Sequence, residues 1–416
     1  MNIKTLPNID LKHYTEQQIL KAFFVAAKTH QSSIAIWRLP HAREVQLIVS
    51  FLSQFPKRAV DLNSKLPGFV ISPFLNPKGD QTLFIPAHLY YHRNQVVEIP
   101  SPHEDQKKAF LKTLFEAKVF LEKLLPRMSL LGTGHLAPET SHYVCSNPDA
   151  GTPSPKTSFI TIVKKGIEAI KKGEFHKVVL ARTSLIDLNQ QFDLINTFKV
   201  LEKDCPDRFV FLVSTPNYGT WMGATPELLF KVDQDLILHT VALAGTKPAG
   251  SAEAAWTQKE IEEQALVSHF IIKQFKKLGV QEWDEFGPKT VTAGNVAHLK
   301  TEFKVDLKAY HSPQFFGNAL LLHLHPTSAV CGMPKKSALN FIKKYESFDR
   351  VFYCGYLGSV NIHEETCFYV NIRCMQLLEN QAILYAGAGI TRDSDPVKEW
   401  EETNLKCQML MKFLRN

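Results

Sequence analysis

The chain has 416 residues, 44% hydrophobic and 21% charged, a balance that fits a folded globular protein and excludes a disordered one. Its net charge of +7 is a mild excess scattered among acids, with no Lys/Arg block of the kind that binds nucleic acid, so no nucleic-acid partner is expected. No stretch reaches the ~20 apolar residues of a membrane span, no apolar leader opens the chain, and the seven cysteines form no CxxC pair, which predicts reduced thiols, a cytoplasmic setting and no membrane partner.

Residues 14–30 read as an amphipathic helix, with Ile19, Leu20, Phe23, Phe24 and Ala27 at helical spacing. Strand-like pieces follow at 33–38, 69–73 and 82–91, then a helix over 104–125 with Phe110, Leu114 and Phe115 on one face. Nothing in this part gathers titratable residues, and it reads as scaffold. Residues 129–156 turn to Gly, Pro, Ser and Thr, the composition of a linker or long surface crossing. A helix over 159–172 leads into Lys177-Val-Val-Leu-Ala-Arg182, where Lys177 opens a strand. Most lysines there are solvated, whereas one drawn into a pocket can act as a base.

Residues 209–214 read as a strand and Trp221–Phe230 as strand-turn-strand, with Glu227 between Pro226 and an apolar run. A carboxyl in that setting is either exposed at a turn or held protonated in an apolar pocket, where it can donate a proton. Residues 237–246 alternate and end in Leu243-Ala-Gly-Thr246, a turn with backbone donors. Residues 252–278 form a long helix with Glu260 and Glu263 on one face, and two strands surround Val296-Ala-His-Leu299. Leu324–Pro334 is a turn-rich loop, and the last third alternates as antiparallel sheet. After a strand ending at Tyr385, Gly387 and Gly389 make a small-residue loop, and Ser394 or Asp395 caps a helix with Pro396 in its first turn. Glu399, Glu402 and Lys406 fall within about 60° of arc on that helix. Such residues usually make a solvated face, but two acidic helices sharing a cleft can hold Mg²⁺, and a glycine loop can hold an anion. No GxGxxG, P-loop or GxSxG run occurs.

The chain resembles the chorismate-utilising enzymes: isochorismate synthases, salicylate synthases and the large subunits of anthranilate and aminodeoxychorismate synthase. The resemblance is carried, in order, by Lys177-Val-Val-Leu-Ala-Arg182, Gly223-Ala-Thr-Pro-Glu227, Leu243-Ala-Gly-Thr246, Lys259-Glu-Ile-Glu-Glu263, His325-Pro-Thr-Ser-Ala329, Ile372-Arg-Cys374, Gly387-Ala-Gly389 and Glu399-Trp-Glu-Glu-Thr403 with Lys406. It implies an α+β fold, two facing antiparallel sheets flanked by helices, with residues 1–130 the variable N-terminal part, 131–156 a linker-like crossing and 157–416 the chorismate-binding catalytic region. It implies Mg²⁺ held by Glu263 and Glu402, with Glu260 and Glu399 acting through water. Arg373 and Lys406 would hold the substrate carboxylates, helped by the N–H groups of Gly387 and Gly389. Thr246, His298 and His325 would line the ring.

Lys177 stands where the water-using branch has lysine and anthranilate synthases commonly have glutamine. Water attacking the ring needs a base and the leaving hydroxyl needs an acid; Lys177 and Glu227 meet these needs. Ala329 in His-Pro-Thr-Ser-Ala matches isochorismate synthases, where aminating and salicylate-forming relatives carry threonine. Gln264 departs from the histidine that many relatives place after the metal glutamate. The resemblance therefore implies a Mg²⁺-dependent isochorismate synthase, with the run from Trp256 to Gln264 similar to that of menaquinone-pathway members. A siderophore-pathway synthase, a salicylate synthase and a non-catalytic chorismate-binding protein are the alternatives. A monomer without a glutamine amidotransferase subunit is expected.

Overall fold

The computed structural model describes residues 4–5, 11, 13–52, 54–55, 57–62, 64–128, 142–144, 153–248, 250, 255–293, 296–310 and 313–414. Most of the expected 131–156 crossing lies outside the described residues. Two antiparallel sheets face each other. The larger runs, edge to edge, Lys4–Thr5, Gln95–Glu98, Leu89–His92, Gln46–Ser50, Ser33–Arg38, Phe209–Thr215, Gly219–Thr225, Cys374–Leu377, Gln381–Ile390, Lys177–Asp187 and Gly332–Met333. The smaller runs Asp284–Ala293, Val296–Asp306, Ile237–Pro248, Leu228–Val232, Glu365–Val370, Tyr356–Ile362, Gly68–Ser72 and Leu83–Pro86. The helices among the described residues are α1 (Glu16–Thr29), α2 (Glu104–Met128), α3 (Lys156–Lys171), α4 (Leu194–Asp204), α5 (Gln258–Lys277), α6 (Pro313–Leu324), α7 (Lys335–Tyr345) and α8 (Pro396–Leu414).

Strand alternation builds two cores from one sheet. Ala35, Trp37, Phe209 and Phe211 point between the sheets, into a core with Phe69, Phe230 and Phe368. Their neighbours Ile34, Ile36, Val210 and Leu212 point the other way, where they pack with Leu20 and Phe23 of α1, Phe198 of α4 and Leu410 of α8. Both faces of the central strands are thus covered, which is why they read as continuous apolar runs. Each fully buried aromatic contributes about 1.5–3 kcal/mol over its exposed state, and rings such as Trp221 and Tyr385 add stacking at 5.4 Å.

Two segments switch sheets side by side. Thr225-Pro-Glu-Leu228 leaves the larger sheet for the smaller, and Val370-Asn-Ile-Arg-Cys374 returns. They are tied together: Val370 N–H donates to Glu227 C=O (2.9 Å), Ala224 N–H to Arg373 C=O (3.0 Å) and Thr225 Oγ1 to Val370 C=O (2.7 Å). Beyond Leu384, strand Gln381–Ile390 has no strand on that side among the described residues, so an open edge faces the divergence.

Three local expectations differ from the structure. The strand expected to end at Tyr385 runs to Ile390, so Gly387 and Gly389 are strand residues opposite Ala181 and Val179. The Leu243–Thr246 turn is a register shift inside strand Ile237–Pro248, with Gly245 at φ 68°. Its glycine lets the bulge lie on α5, since a Cβ there would stand 3.3 Å from Glu260 Cβ. The helix expected over 252–278 begins at Gln258 among the described residues, with Thr257 and Glu260 forming a capping box.

Candidate active site

Lys177 opens the strand beneath the open edge, and its ammonium lies 3.9 Å from the Glu263 carboxylate of α5. The space it occupies exists because residue 389 is glycine: a Cβ there would lie 3.1 Å from Lys177 Cε and 3.6 Å from Nζ. Gly387 is likewise constrained by Tyr353, whose hydroxyl would lie 3.0 Å from an added Cβ. Tyr353 is buried and stacked on Tyr385 at 5.2 Å.

In an antiparallel ladder a residue's N–H and C=O point the same way. Gly387 C=O accepts from Lys406 Nζ at 2.7 Å. On the facing strand, Ala181 N–H donates to Glu346 Oε1 (2.8 Å) and Val179 N–H to Cys331 C=O (2.9 Å). The N–H groups of Gly387 and Gly389 therefore point away from the Lys177 strand and toward the open edge. That arrangement, with Lys406 beside it, suits a carboxylate.

Glu227 is carried by the first sheet-switching segment. It keeps partial access to solvent from the cleft but lies deep among protein atoms. Burial pushes its carboxyl up to about 7, against the smaller opposing pulls of a Thr327 hydrogen bond and the Lys177 charge. Arg373 is carried by the second segment, in the left-handed region at φ 52°. Burial, and next the nearby Arg208, lower its pKa without removing its charge, and Glu402 offsets part of this. Its Nη1 contacts Met409 Sδ at 3.1 Å. His298 donates from Nδ1 to Gly245 C=O (3.0 Å), and burial lowers its pKa, with Arg373 adding to the effect.

The two acidic helices are held from behind. Arg182 is buried, donates from Nε to Thr403 Oγ1 (2.6 Å), bonds Asn404 and lies 4.1 Å over the Trp400 ring, which fixes α8 on strand Lys177–Asp187. Asp395 Oδ1 accepts from Val397 N–H and Lys398 N–H, both at 2.9 Å, and Pro396 is the first helical residue. On α5, buried Gln264 donates to Thr301 Oγ1 (2.6 Å) and Ser268 Oγ (3.1 Å), anchoring the helix next to Glu263. Glu402 pairs with Lys406 at 2.5 Å, and Glu260 accepts from Thr257 N–H (2.8 Å) and Oγ1 (2.9 Å). Glu399 sits one helical turn before Glu402. No group of three or more His, Cys, Asp or Glu is gathered as a metal site among the described residues. Mg²⁺ needs only one or two carboxylates beside water and substrate oxygens, a donor chemistry that Glu263 and Glu402 fit.

His325 and Ala329 lie in the loop between α6 and α7. The His325 ring is buried, not on the loop surface: Nε2–H donates to Phe74 C=O (3.3 Å), the ring meets Tyr356 edge-on at 5.0 Å, and burial pushes its pKa down to about 3. Ala329 is partly exposed. The side chain of Thr246 lies outside the described residues. The residue of this loop that reaches Glu227 is Thr327, with Oγ1 3.4 Å from Oε1. Sequence reasoning passed over it, although it stands inside the quoted His-Pro-Thr-Ser-Ala run and carries that run's first hydroxyl.

The fold matches that of a solved structure of MenF, the menaquinone-specific isochorismate synthase from Escherichia coli, with a TM-score of 0.72 at 22% identity over 99% of this chain and 94% of that one. It is an α+β sandwich of two antiparallel sheets with helices outside. The sequence matches the family described as chorismate binding enzyme over residues 92–415, and the chain belongs to that family. It is 30% identical over 260 residues to the isochorismate synthase MenF of Haemophilus influenzae, covering 60% of this chain and 58% of that protein's length. Over 313 residues it is 28% identical to MenF of Escherichia coli K12, covering 72% and 68%. To the isochorismate synthase EntC of Escherichia coli K12 it is 29% identical over 268 residues, covering 62% and 66%.

Proposed function

We propose that the chain converts chorismate to isochorismate, with water adding at ring C2 and the C4 hydroxyl leaving. The observation that carries this reading is the pairing of Lys177 with a protonatable Glu227 in one cleft: burial raises the Glu227 carboxyl to about 7, and the Lys177 charge acts on it. In its neutral amine form Lys177 accepts a proton from the attacking water and becomes the ammonium whose charge acts on Glu227. Glu227 donates one to the departing hydroxyl, which leaves as water with the C4–O electron pair. Arg373, Lys406 and the N–H groups of Gly387 and Gly389 hold the substrate's carboxylates, while His298 and the bulge at Gly245 border the ring. Ala329 leaves no hydroxyl beside the substrate, in keeping with retention of the enolpyruvyl group. Mg²⁺ would be held by Glu263 and Glu402, with Glu260 and Glu399 acting through water, and when bound would neutralise a ring carboxylate. The run from Trp256 to Gln264 favours a role in menaquinone formation over a siderophore route.

The test is product analysis of chorismate incubated with the protein and Mg²⁺, with and without ammonium. The expected product is isobaric with chorismate, elutes separately, releases no pyruvate and is indifferent to ammonium. Salicylate with pyruvate, or nitrogen incorporation, would replace this reading with another branch of the family. No turnover with retained chorismate binding would leave a binding protein.

A further inference from the structure

Thr327 is the middle of a short loop whose ends are clamped. At one end Lys335, the first residue of α7, donates to His325 C=O; at the other Arg350 Nη1 donates to Val330 C=O at 2.9 Å. Arg350 is buried and itself paired with Glu346 at 2.5 Å, and Lys335 is half-buried. Inside the loop Thr327 C=O accepts from the N–H groups of Val330 (3.2 Å) and Cys331 (3.0 Å). The Thr327 backbone is therefore fixed from within and from both sides. Its hydroxyl lies 3.4 Å from Glu227 Oε1. The Glu227 backbone is fixed as well, with its C=O accepting from Val370 N–H (2.9 Å) and its N–H donating to Thr225 Oγ1 (3.3 Å).

We infer that Thr327 is a positioning residue that decides which oxygen of Glu227 carries the proton. A hydroxyl donating to Oε1 occupies that oxygen as an acceptor and leaves Oε2 to bear the hydrogen. Oε2 then delivers the proton to the oxygen leaving C4, the C4–O pair departs with water, and Glu227 is left as a carboxylate that Thr327 stabilises through Oε1. A hydrogen bond to the charged form favours that form. Loss of Thr327 must therefore raise the pKa of the acid and let the proton reside on either oxygen. The Thr327 hydrogen bond pulls the Glu227 carboxyl downward, in agreement with this sign. The inference rests on Glu227 being the acid of the proposed reaction.

The test uses Thr327→Val, which keeps the shape, and Thr327→Ser, which keeps the hydroxyl. In Thr327→Val the alkaline limb of the kcat–pH profile is expected to move up by about half a unit to one unit, the equivalent of one ordinary hydrogen bond. At neutral pH kcat falls by about 3- to 10-fold with KM for chorismate little changed, and Thr327→Ser restores both. An infrared titration of the Glu227 carboxyl C=O stretch, with Glu227→Gln as the blank, reads the same shift without any turnover. An unmoved carboxyl titration in Thr327→Val, or Thr327→Ser behaving like Thr327→Val, would overturn the inference. A shifted titration in a protein that does not turn over chorismate would support the hydroxyl's hold on Glu227 and sink the proposed reaction instead.

Discussion

Glu227 carries the sharpest consequence at the scale of single residues. Its carboxyl is held up to about 7 by burial, while an unfolded glutamate titrates near ~4.3. Between these values the native state binds the extra proton, so stability declines as pH rises from ~4.3 to about 7, and the loss is complete above that. Glu227→Gln removes the ionisation. Its melting temperature relative to wild type should therefore climb between about pH 5 and about pH 8; a constant offset would show an ordinary carboxyl. Under the proposed reaction activity has the same sign, because Glu227 as the acid must be protonated, and should fall as pH passes about 7. Lys177→Ala should lower turnover by on the order of 10²–10⁴-fold while equilibrium dialysis still detects bound chorismate; wild-type rates would remove Lys177 as the base. At this scale the sequence was informative about type and silent about contact. Lys177 and Glu227 were legible only through the runs Lys177–Arg182 and Gly223–Glu227 that carry the family resemblance, since most lysines that open a strand are solvated and a glutamate after proline can equally sit exposed at a turn. Thr327 was not, because nothing in the run of letters says which hydroxyl of a turn-rich loop faces a carboxyl 100 positions away in the chain.

The helices α5 and α8 differ in how their acids are engaged. Glu260 closes a capping box with Thr257, so its carboxylate already serves α5. Glu260→Ala should lower stability by about 0.5–2 kcal/mol, and Glu260→Gln, which still reaches the Thr257 N–H, should restore most of it. Equal melting temperatures for all three would show that the cap contributes nothing. Glu402 is half-exposed and pairs with Lys406; Glu402→Ala should abolish Mg²⁺ dependence with little change in melting temperature, and an unchanged Mg²⁺ titration would take Glu402 out of the proposed metal site. Long, strongly periodic elements such as α1, α3 and strand Phe209–Thr215 were readable from spacing alone. Gly387-Ala-Gly389 was misread as a loop because glycine is rare inside strands; here the sheet tolerates it where Lys177 and Tyr353 fill the space of the missing side chains. Helices α4 and α7 went unread because each is only 11 residues long, about three turns, so the helical period repeats too few times to stand out.

For the molecule as a whole, the N-terminal strands are not an appendage to the catalytic region. Ser33–Arg38 pairs along Phe209–Thr215, and Gly68–Ser72 pairs along Tyr356–Ile362. Removing residues 1–130 would strip both sheets of partners and bare apolar edges. A fragment of residues 157–416 should therefore show no cooperative unfolding transition by calorimetry; a sharp transition would show that this region folds alone. The pairing of early with late strands could not be read from the sequence, since alternation marks a strand without naming its neighbour.

The paired sheet-switching segments have a mechanical consequence. Glu227 and Arg373 ride on neighbouring spans stitched by three hydrogen bonds, whereas Lys177 belongs to the larger sheet alone. When thermal shear slides one sheet past the other, Glu227 and Arg373, the proposed proton donor and anion clamp, should travel as one body. The gap to Lys177 is the dimension that such breathing would modulate, so a cross-link between the sheets should sharpen the register of the proposed base against the proposed acid without disturbing Arg373.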